Sequence, residues 1–222
     1  MNLKNWVVVF DLDDTLISEL QYQRSGIASV EAAITSIYGI AFGGRIQGAL
    51  DDGVKDIWAW VCQELGLPPE VKKSLLWIYR LHSPDIKLAQ GVEDLVSLLL
   101  SCKANLAILS DGRSITQRLK LRAIGLEYLP LFISEDCQST KPNVDRFVSI
   151  EEKWPKCNYA YIADNAAKDF VAPRTRNWLT IGARWISPRV HCSSDQVRAE
   201  NQPDYWLSCP SKVLPLISSI RK

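Results

Sequence analysis

The sequence lacks the features that are typical of proteins that bind nucleic acids or membranes. Its net charge is only +1, from 26 Lys and Arg against 25 Asp and Glu, so no overall charge favours nucleic acid or an anionic membrane surface. No segment approaches the roughly 18 uncharged apolar residues that a membrane span needs. We therefore expect neither nucleic acid nor a membrane as a partner, and any anionic substrate must be held by a local site.

Two further absences concern processing and cysteine chemistry. The five-residue apolar run 6–10 ends at Asp11 and is too short for a secretory signal peptide, so we expect a cytoplasmic location. The six cysteines are widely separated, without the close pairs that are typical of zinc or redox sites. Buried, reduced thiols are the expected result.

The residues that are present form two patterns. From 18 to about 80, apolar residues recur at helical spacing in three stripes, 27–37, 54–65 and 71–78, with no convincing strand among them. The rest of the chain alternates short apolar runs with helical stretches. The predicted strands are 6–10, 106–109, 131–133, 159–163, 179–181 and 205–207, and the helices predicted between them are 92–100, 114–124, 144–152 and 168–172.

Continuous apolar strands that alternate with helices are typical of a parallel sheet covered on both faces. The sequence therefore predicts an α/β fold, a Rossmann-like parallel sheet with helices on both faces. The helical block is interpreted as an insertion after the first strand. The predicted domains are an α/β core of residues 1–16 and 88–222 and a small α-helical domain of residues 17–87.

Unusual polar residues follow the first four predicted strands. In an open parallel sheet, ligands bind in the crevice beyond the carboxyl ends of the strands, so these residues are expected to meet at one edge. They are Asp11, Asp13 and Thr15 after the first strand, the sequence SDGR at 110–113 after the second, Lys141 after the third, and Asp164 and Asp169 after the fourth.

The concentration of carboxylates at this edge requires positive charge. Two carboxylates about 4 Å apart repel each other by roughly 4 kcal/mol at an effective dielectric constant near 20, and Lys141 alone cannot balance three or four of them. An all-oxygen site that also meets a substrate phosphate suits Mg²⁺ better than a softer metal. We therefore predict a magnesium site built from Asp11, Asp13 and Asp164.

The spacing of the first two aspartates suggests how they divide the chemistry. Residues two apart in an extended turn point the same way, so Asp11 and Asp13 can face one ligand. One carboxylate can attack a phosphorus centre while its neighbour transfers protons, with Ser110 and Lys141 as natural phosphate contacts. Asp14 is out of phase, and we expect it to turn away and hydrogen-bond the backbone where the insertion begins.

Four segments, FDLDDTL, ILSDG, STKP and IADNAAKDF, occur in this order along nearly the whole chain. Together they resemble the four motifs of the haloacid dehalogenase-like (HAD) hydrolase superfamily, in its helical-cap (C1-type) phosphatase branch. The resemblance implies a Mg²⁺-dependent phosphatase that hydrolyses a small-molecule phosphate monoester through an aspartyl-phosphate. It also implies that the helical insertion is a cap that closes over the cleft and sets substrate choice.

The resemblance assigns roles to individual positions. Asp11 would be the nucleophile and Asp13 the general acid and base, and Asp13 would also meet the metal through its backbone carbonyl. The phosphate would be held by Thr15, Ser110, the backbone of Asp111 and Lys141, and the metal by Asp11, Asp13 and Asp164. Asp169 would orient Lys141 or a metal-bound water, and Asn165 would lie beside it and support the same groups from behind. Apart from the resemblance, the charges of Arg24 and Arg113 make them candidates for substrate recognition.

Several alternatives stay open at this point. The substrate could be a nucleotide or a phosphosugar, and the protein a monomer or a homodimer. A C–halogen dehalogenase of the same fold is disfavoured because such an enzyme does not need the second acid, Asp13. The main alternative is a HAD-fold protein with weak or no catalysis that acts as a binding or partner subunit in a biosynthetic pathway.

Overall fold

The computed structural model describes residues 1–188 and 198–220, and its centre is a six-stranded parallel sheet with the order β3-β2-β1-β4-β5-β6. Each strand lies where the sequence predicts one, and the predicted Rossmann-like α/β class is confirmed. The strands are β1 (Trp6–Phe10), β2 (Asn105–Ser110), β3 (Leu131–Ile133), β4 (Asn158–Ala163), β5 (Leu179–Ala183) and β6 (Tyr205–Leu207).

Helices fill most of the chain between the strands. Within the described residues, none of them is long and apolar enough to cross a membrane. They are α1 (Glu19–Tyr38), α2 (Arg45–Asp51), α3 (Ile57–Glu64), α4 (Val71–Leu81), α5 (Val92–Ser101), α6 (Ser114–Ala123), α7 (Ser134–Cys137), α8 (Asp145–Lys153), α9 (Val171–Thr175) and α10 (Val213–Ser219), with 3₁₀ turns at Ala199–Asn201 and Pro210–Lys212.

Strand β1 lies in the middle of the sheet and is buried along its whole length. Val7 and Val9 pack in one hydrophobic cluster with Phe147 of α8. Val8 points to the opposite face and is also fully buried, so both faces of the strand are covered. This double coverage explains why the strand is an unbroken apolar run rather than an alternating pattern.

The chain forms two compact units, one of Met1–Glu19 with Lys87–Lys222 and one of Leu20–Ile86. The first unit continues beyond the predicted limit at residue 16. Ile17 forms an antiparallel bridge with Leu88, and the N–H of Ala89 donates to the carbonyl of Leu16 at 2.8 Å. These contacts hold Leu16 and Ile17 in the unit that contains the sheet.

The helical unit has its own apolar core. Ile27, Val30 and Ile34 of α1 pack in one buried cluster with residues of α2, α3 and α4. The sequence did not predict α2, because a helix of seven residues with two buried apolar positions is too short to show a periodic pattern.

The expectation of buried thiols is wrong in part. Cys62 and Cys102 are buried, but Cys137 is exposed and Cys157 and Cys209 are half-buried, all of them free. Cys137 is exposed because it ends the four-residue helix α7 at the surface. The sixth cysteine, at position 192, lies outside the described residues.

Candidate active site

The strand order brings the predicted site residues to one edge of the sheet. Because β1 lies between β2 and β4, Asp11 follows β1 beside Ser110 at the end of β2 and Asp164 after β4. The N–H of Asp11 continues the β1–β4 ladder by donating to the carbonyl of Ile162 at 2.8 Å. A cleft of about 210 Å³ opens there, lined by Asp11, Asp13, Asp14, Glu19, Ser110, Asp111, Asp164, Asn165 and Lys168.

Three buried carboxylates converge at the base of this edge. Oxygen atoms of Asp11, Asp164 and Asp169 all lie within 4.8 Å of one another. The sequence predicts Asp11, Asp13 and Asp164 as metal ligands. In the structure, the third carboxylate beside Asp11 and Asp164 is that of Asp169 and not that of Asp13. The carboxylate of Asp13 instead contacts two side chains of helix α6.

Lys141 lies against this cluster with its side chain only 1% exposed. Its Nζ is 2.9 Å from Asp11 Oδ1 and 2.7 Å from Asp169 Oδ1, and it donates to Tyr161 Oη at 2.9 Å. Burial alone would lower the pKa of Lys141, but the charges of Asp11 and Asp169 hold it well above its usual value. The sequence did not single out Tyr161, since a tyrosine in the middle of a buried strand is typical of a core residue.

The cluster carries more negative charge than its cation balances. Burial raises the pKa of Asp11 from 3.8 to about 6, although Lys141 opposes the shift. Burial, followed by the charges of Asp11 and Asp169, raises the pKa of Asp164 from 3.8 to about 8. Within residues 1–188 and 198–220, no Lys, Arg or His forms an ion pair with Asp164. Buried carboxylate oxygens short of positive charge suit a hard divalent cation such as Mg²⁺, so these residues fit the predicted metal.

These pKa shifts predict how pH affects the metal-free protein. Because the folded pKa values of Asp11 and Asp164 lie above 3.8, their favourable contribution to stability is present at low pH and is lost as pH rises through about 6 and 8. In EDTA, we expect the melting temperature to fall as pH rises from about 5 to 8.5, and Mg²⁺ to raise it more at the higher pH.

The matched control for this prediction is Asp164→Asn, which removes the titrating group and keeps its size. The variant should show a flatter pH dependence in EDTA and a much smaller response to Mg²⁺. Parallel pH curves for the wild type and Asp164→Asn, measured by thermal melts, would contradict the assignment of this behaviour to Asp164.

The carboxylate of Asp13 is held by two residues of α6. Lys120 Nζ lies 2.7 Å from Asp13 Oδ1 and 2.9 Å from Oδ2, and Gln117 Nε2 donates to Oδ2 at 3.1 Å. Both side chains are buried. Sequence reasoning missed them, although polar residues three apart on one helix face, directly after the SDGR loop, were the available signal.

The loop that follows β2 is held by a buried arginine. Arg146 of α8 is fully buried, donates from Nη1 to the carbonyl of Ser110 at 3.0 Å and forms an ion pair with Asp111. Lys168 lies 3.9 Å from the same carboxylate at the rim of the cleft. The sequence analysis did not single out Arg146. It lies four residues before buried Ile150, on the same face of α8, and a charged residue on the apolar face of a helix indicates a buried polar contact.

Asp14 behaves as expected in one respect. Its Oδ1 accepts a hydrogen bond from the N–H of Glu19, at the start of α1, at 3.0 Å. The predicted contact with the backbone where the insertion begins is therefore confirmed. Asp14 nevertheless also lines the cleft, and its charge helps to raise the pKa of Asp164.

The remaining predicted residues lie in different places. Asn165 lines the cleft, and its N–H donates to Asp169 Oδ2 at 3.0 Å. Thr15 is fully buried and does not line the cleft, and its hydroxyl has no partner within the described residues. Arg113 is exposed, 3.6 Å from Glu135, and Arg24 is exposed on α1 in the helical unit.

Comparison with solved structures places this architecture. A protein described as the HAD-hydrolase YfnB of Bacillus subtilis, solved with magnesium bound, is 18% identical, with a TM-score of 0.67 over 96% of this chain and 99% of that one. A protein described as a β-phosphoglucomutase of Thermotoga maritima is 17% identical, with a TM-score of 0.68 over 97% and 99% of the two chains. The chain has the HAD-like fold.

A third structure with the HAD-like fold is described as having a different activity. A 2-haloacid dehalogenase of Pseudomonas syringae is 14% identical, with a TM-score of 0.64 over 97% of this chain and 99% of that one. No protein-family model matches the chain, and no curated protein matches it. The likeness therefore shows the fold alone, because one fold can carry unrelated activities and the activity depends on the residues of the site.

Proposed function

We propose that this protein is a Mg²⁺-dependent phosphatase that hydrolyses a small-molecule phosphate monoester. The observation that carries the proposal is the arrangement at the end of β1. Asp11 lies beside buried Asp164 and is held by Lys141, and Asp13, two residues on, lines the same cleft. A nucleophile, a proton-transfer group and a cation site thus meet at the edge of the sheet where ligands bind.

In the first half of the proposed reaction, a carboxylate oxygen of Asp11 attacks the phosphorus. The bond to the leaving oxygen breaks, and Asp13 donates a proton to that oxygen, which leaves an aspartyl-phosphate on Asp11. In the second half, Asp13 takes a proton from water as the water attacks the phosphorus. Phosphate departs, and the Asp11 carboxylate is restored.

The other groups bind and orient the phosphoryl group. Ser110, the backbone N–H of Asp111 and Lys141 are proposed to hold its oxygens, with Lys168 at the rim as a further cation. The carboxylates of Asp11 and Asp164 and the backbone carbonyl of Asp13 would hold Mg²⁺. When bound, the ion would neutralise charge that develops on the phosphoryl oxygens.

The lining of the cleft bears on the substrate. Every residue that lines this space of about 210 Å³ is charged or polar, which suits a phosphoryl group but offers no apolar side chain to a base or a sugar ring. We therefore infer that the rest of a nucleotide or phosphosugar extends outside this cleft. We propose that the helical unit, residues 20–86, is a cap that recognises this part of the substrate, with Arg24 and Arg113 as candidate contacts.

Purified protein assayed on a panel of phosphate monoesters, with Mg²⁺ and with EDTA, tests the proposal. The panel contains 4-nitrophenyl phosphate, nucleoside monophosphates and phosphosugars, and a 2-haloacid serves as a comparison. We expect Mg²⁺-dependent phosphate release from at least one ester and no halide release. Halide release would indicate a dehalogenase, and no turnover on the whole panel would favour the non-catalytic binding subunit.

A further inference from the structure

We propose that Lys120 and Gln117 are positioning residues, which hold the Asp13 carboxylate and the Ser110 hydroxyl for the phosphatase reaction. This inference rests on the proposed function, because it gives these residues a role only if Asp13 transfers protons. Neither side chain lines the cleft, so each would act through the groups that it holds.

Lys120 holds Asp13 through both carboxylate oxygens. Its Nζ lies within 2.9 Å of each oxygen, and its side chain is 5% exposed against 22% for that of Asp13. A contact to both oxygens restricts rotation of the carboxylate about its terminal bond. Because the ammonium is buried and the carboxylate reaches the cleft, the pair acts as a fixed support behind a group that meets the substrate.

Gln117 connects Asp13 to the proposed phosphate contact. Its Nε2 lies 3.1 Å from Asp13 Oδ2, 2.9 Å from Ser110 Oγ and 2.9 Å from the carbonyl of Asp111. One amide group therefore fixes the spacing between the proton-transfer residue and the hydroxyl that would bind the phosphoryl group.

The loop after β2 is shaped to admit this amide. Gly112 has a φ of +143°, and a Cβ at this position would lie 2.8 Å from Gln117 Nε2. A side chain at position 112 would thus displace the Gln117 amide, and the glycine leaves it room. The loop and the face of α6 that carries Gln117 and Lys120 fit each other.

The two buried lysines of the site serve different carboxylates. Lys141 contacts Asp11 and Asp169, whereas Lys120 contacts Asp13. Loss of Lys141 should therefore affect every phosphate ester. Loss of Lys120 should affect the two steps that depend on Asp13, which are proton transfer to the leaving oxygen and removal of a proton from the attacking water.

The dependence of rate on the leaving group tests this inference. A 4-nitrophenolate leaves without protonation, but the alkoxide of a phosphosugar or nucleotide needs a proton from Asp13. In Lys120→Met we expect kcat/KM, which reports the first half of the reaction, to fall about 100-fold on the best alkyl phosphate of the panel but less than about 3-fold on 4-nitrophenyl phosphate. On both esters kcat should fall, because Asp13 also takes the proton from the attacking water. Lys120→Arg should recover most of the alkyl phosphate activity.

The controls separate positioning from loss of structure. Arg122→Met removes an exposed cation from the same helix and should leave both rates unchanged. Gln117→Leu removes the amide without a change of charge. Because Gln117 also holds Ser110, kcat/KM should fall on both esters and further on the alkyl phosphate than on 4-nitrophenyl phosphate, and this variant serves if Lys120→Met does not fold. Circular dichroism establishes that each variant is folded.

Equal losses of kcat/KM on both substrates in Lys120→Met, unchanged kcat and kcat/KM in folded Lys120→Met and Gln117→Leu, or faster alkyl phosphate hydrolysis in Lys120→Met would each overturn the inference. A wild-type protein that hydrolyses no phosphate ester would overturn the proposed function, and this inference with it. The two failures are distinguishable because only the second one appears in the wild type.

Discussion

Asp11→Asn is expected to reduce Mg²⁺-dependent phosphate release by at least about 1,000-fold in kcat, because an amide cannot replace the carboxylate as nucleophile. The substitution keeps the size of the side chain, which is 8% exposed at the end of the central strand. Asparagine can also still accept a hydrogen bond from Lys141. The loss should therefore be one of chemistry and not of folding.

The same substitution is also expected to change the melting temperature, because Asp11 lies close to Asp164. The charge of Asp11 is the first cause, after burial, of the raised pKa of Asp164. Without that charge, the pKa of Asp164 should fall towards its ordinary value. In EDTA at about pH 8, Asp11→Asn should then melt at a higher temperature than the wild type, while it is inactive.

The exposed variant Asp94→Asn, on α5, is the control, and both its activity and its melting temperature should stay close to those of the wild type. Activity of Asp11→Asn within tenfold of the wild type, on any ester of the panel, would contradict the nucleophile role.

Lys141→Met should be the most damaging single substitution of a cation at the site. It removes the ammonium that lies 2.9 Å from Asp11 and 2.7 Å from Asp169, and it leaves Tyr161 Oη without its contact to Nζ. Loss of one partner of a buried ion pair costs about 3–5 kcal/mol of the free energy of unfolding. Loss of the phosphate contact should also lower kcat/KM by about 1,000-fold or more.

The pH dependence of the free energy of unfolding distinguishes loss of the Lys141 charge from simple loss of packing. Lys141 opposes the rise in the pKa of Asp11, so its removal raises that pKa further. A higher folded pKa means that stability is retained at low pH and lost as pH rises. In EDTA, the destabilisation of Lys141→Met should therefore be larger at about pH 8 than at about pH 5, as measured by urea unfolding.

Lys153→Met, at an exposed position on α8, provides the matched control and should change the free energy of unfolding by less than about 1 kcal/mol at either pH. Equal destabilisation of Lys141→Met at both pH values would mean that packing, rather than the buried carboxylates, accounts for the loss.

The local pattern of the chain determines most of its secondary structure. All six strands were predictable because buried parallel strands are short, continuous apolar runs between polar turns. The long helices were predictable from their apolar stripes. Helices α2, α7 and α10, of seven, four and seven residues, were missed because so few turns cannot show a period.

The sequence by itself also places acidic and polar residues after successive strands, and so it locates the edge of the sheet at which Asp11, Ser110 and Asp164 meet. This inference needs only the general rule that parallel strands end at one edge. Local spacing also predicts the contact of Asp14 with the backbone at the start of α1, but not that Asp14 lines the cleft together with Asp11 and Asp13.

Only the tertiary structure decides which polar and charged side chains contact one another. Asp13 meets Lys120 from a helix 107 residues further along the chain, Asp111 meets Arg146 across 35 residues, and Lys141 meets Tyr161 of β4 across 20. No spacing rule reaches that far, because these contacts depend on the strand order and on the face that each helix turns to the sheet. The carboxylates were visible in the sequence, but their partners depend on how the sheet is assembled.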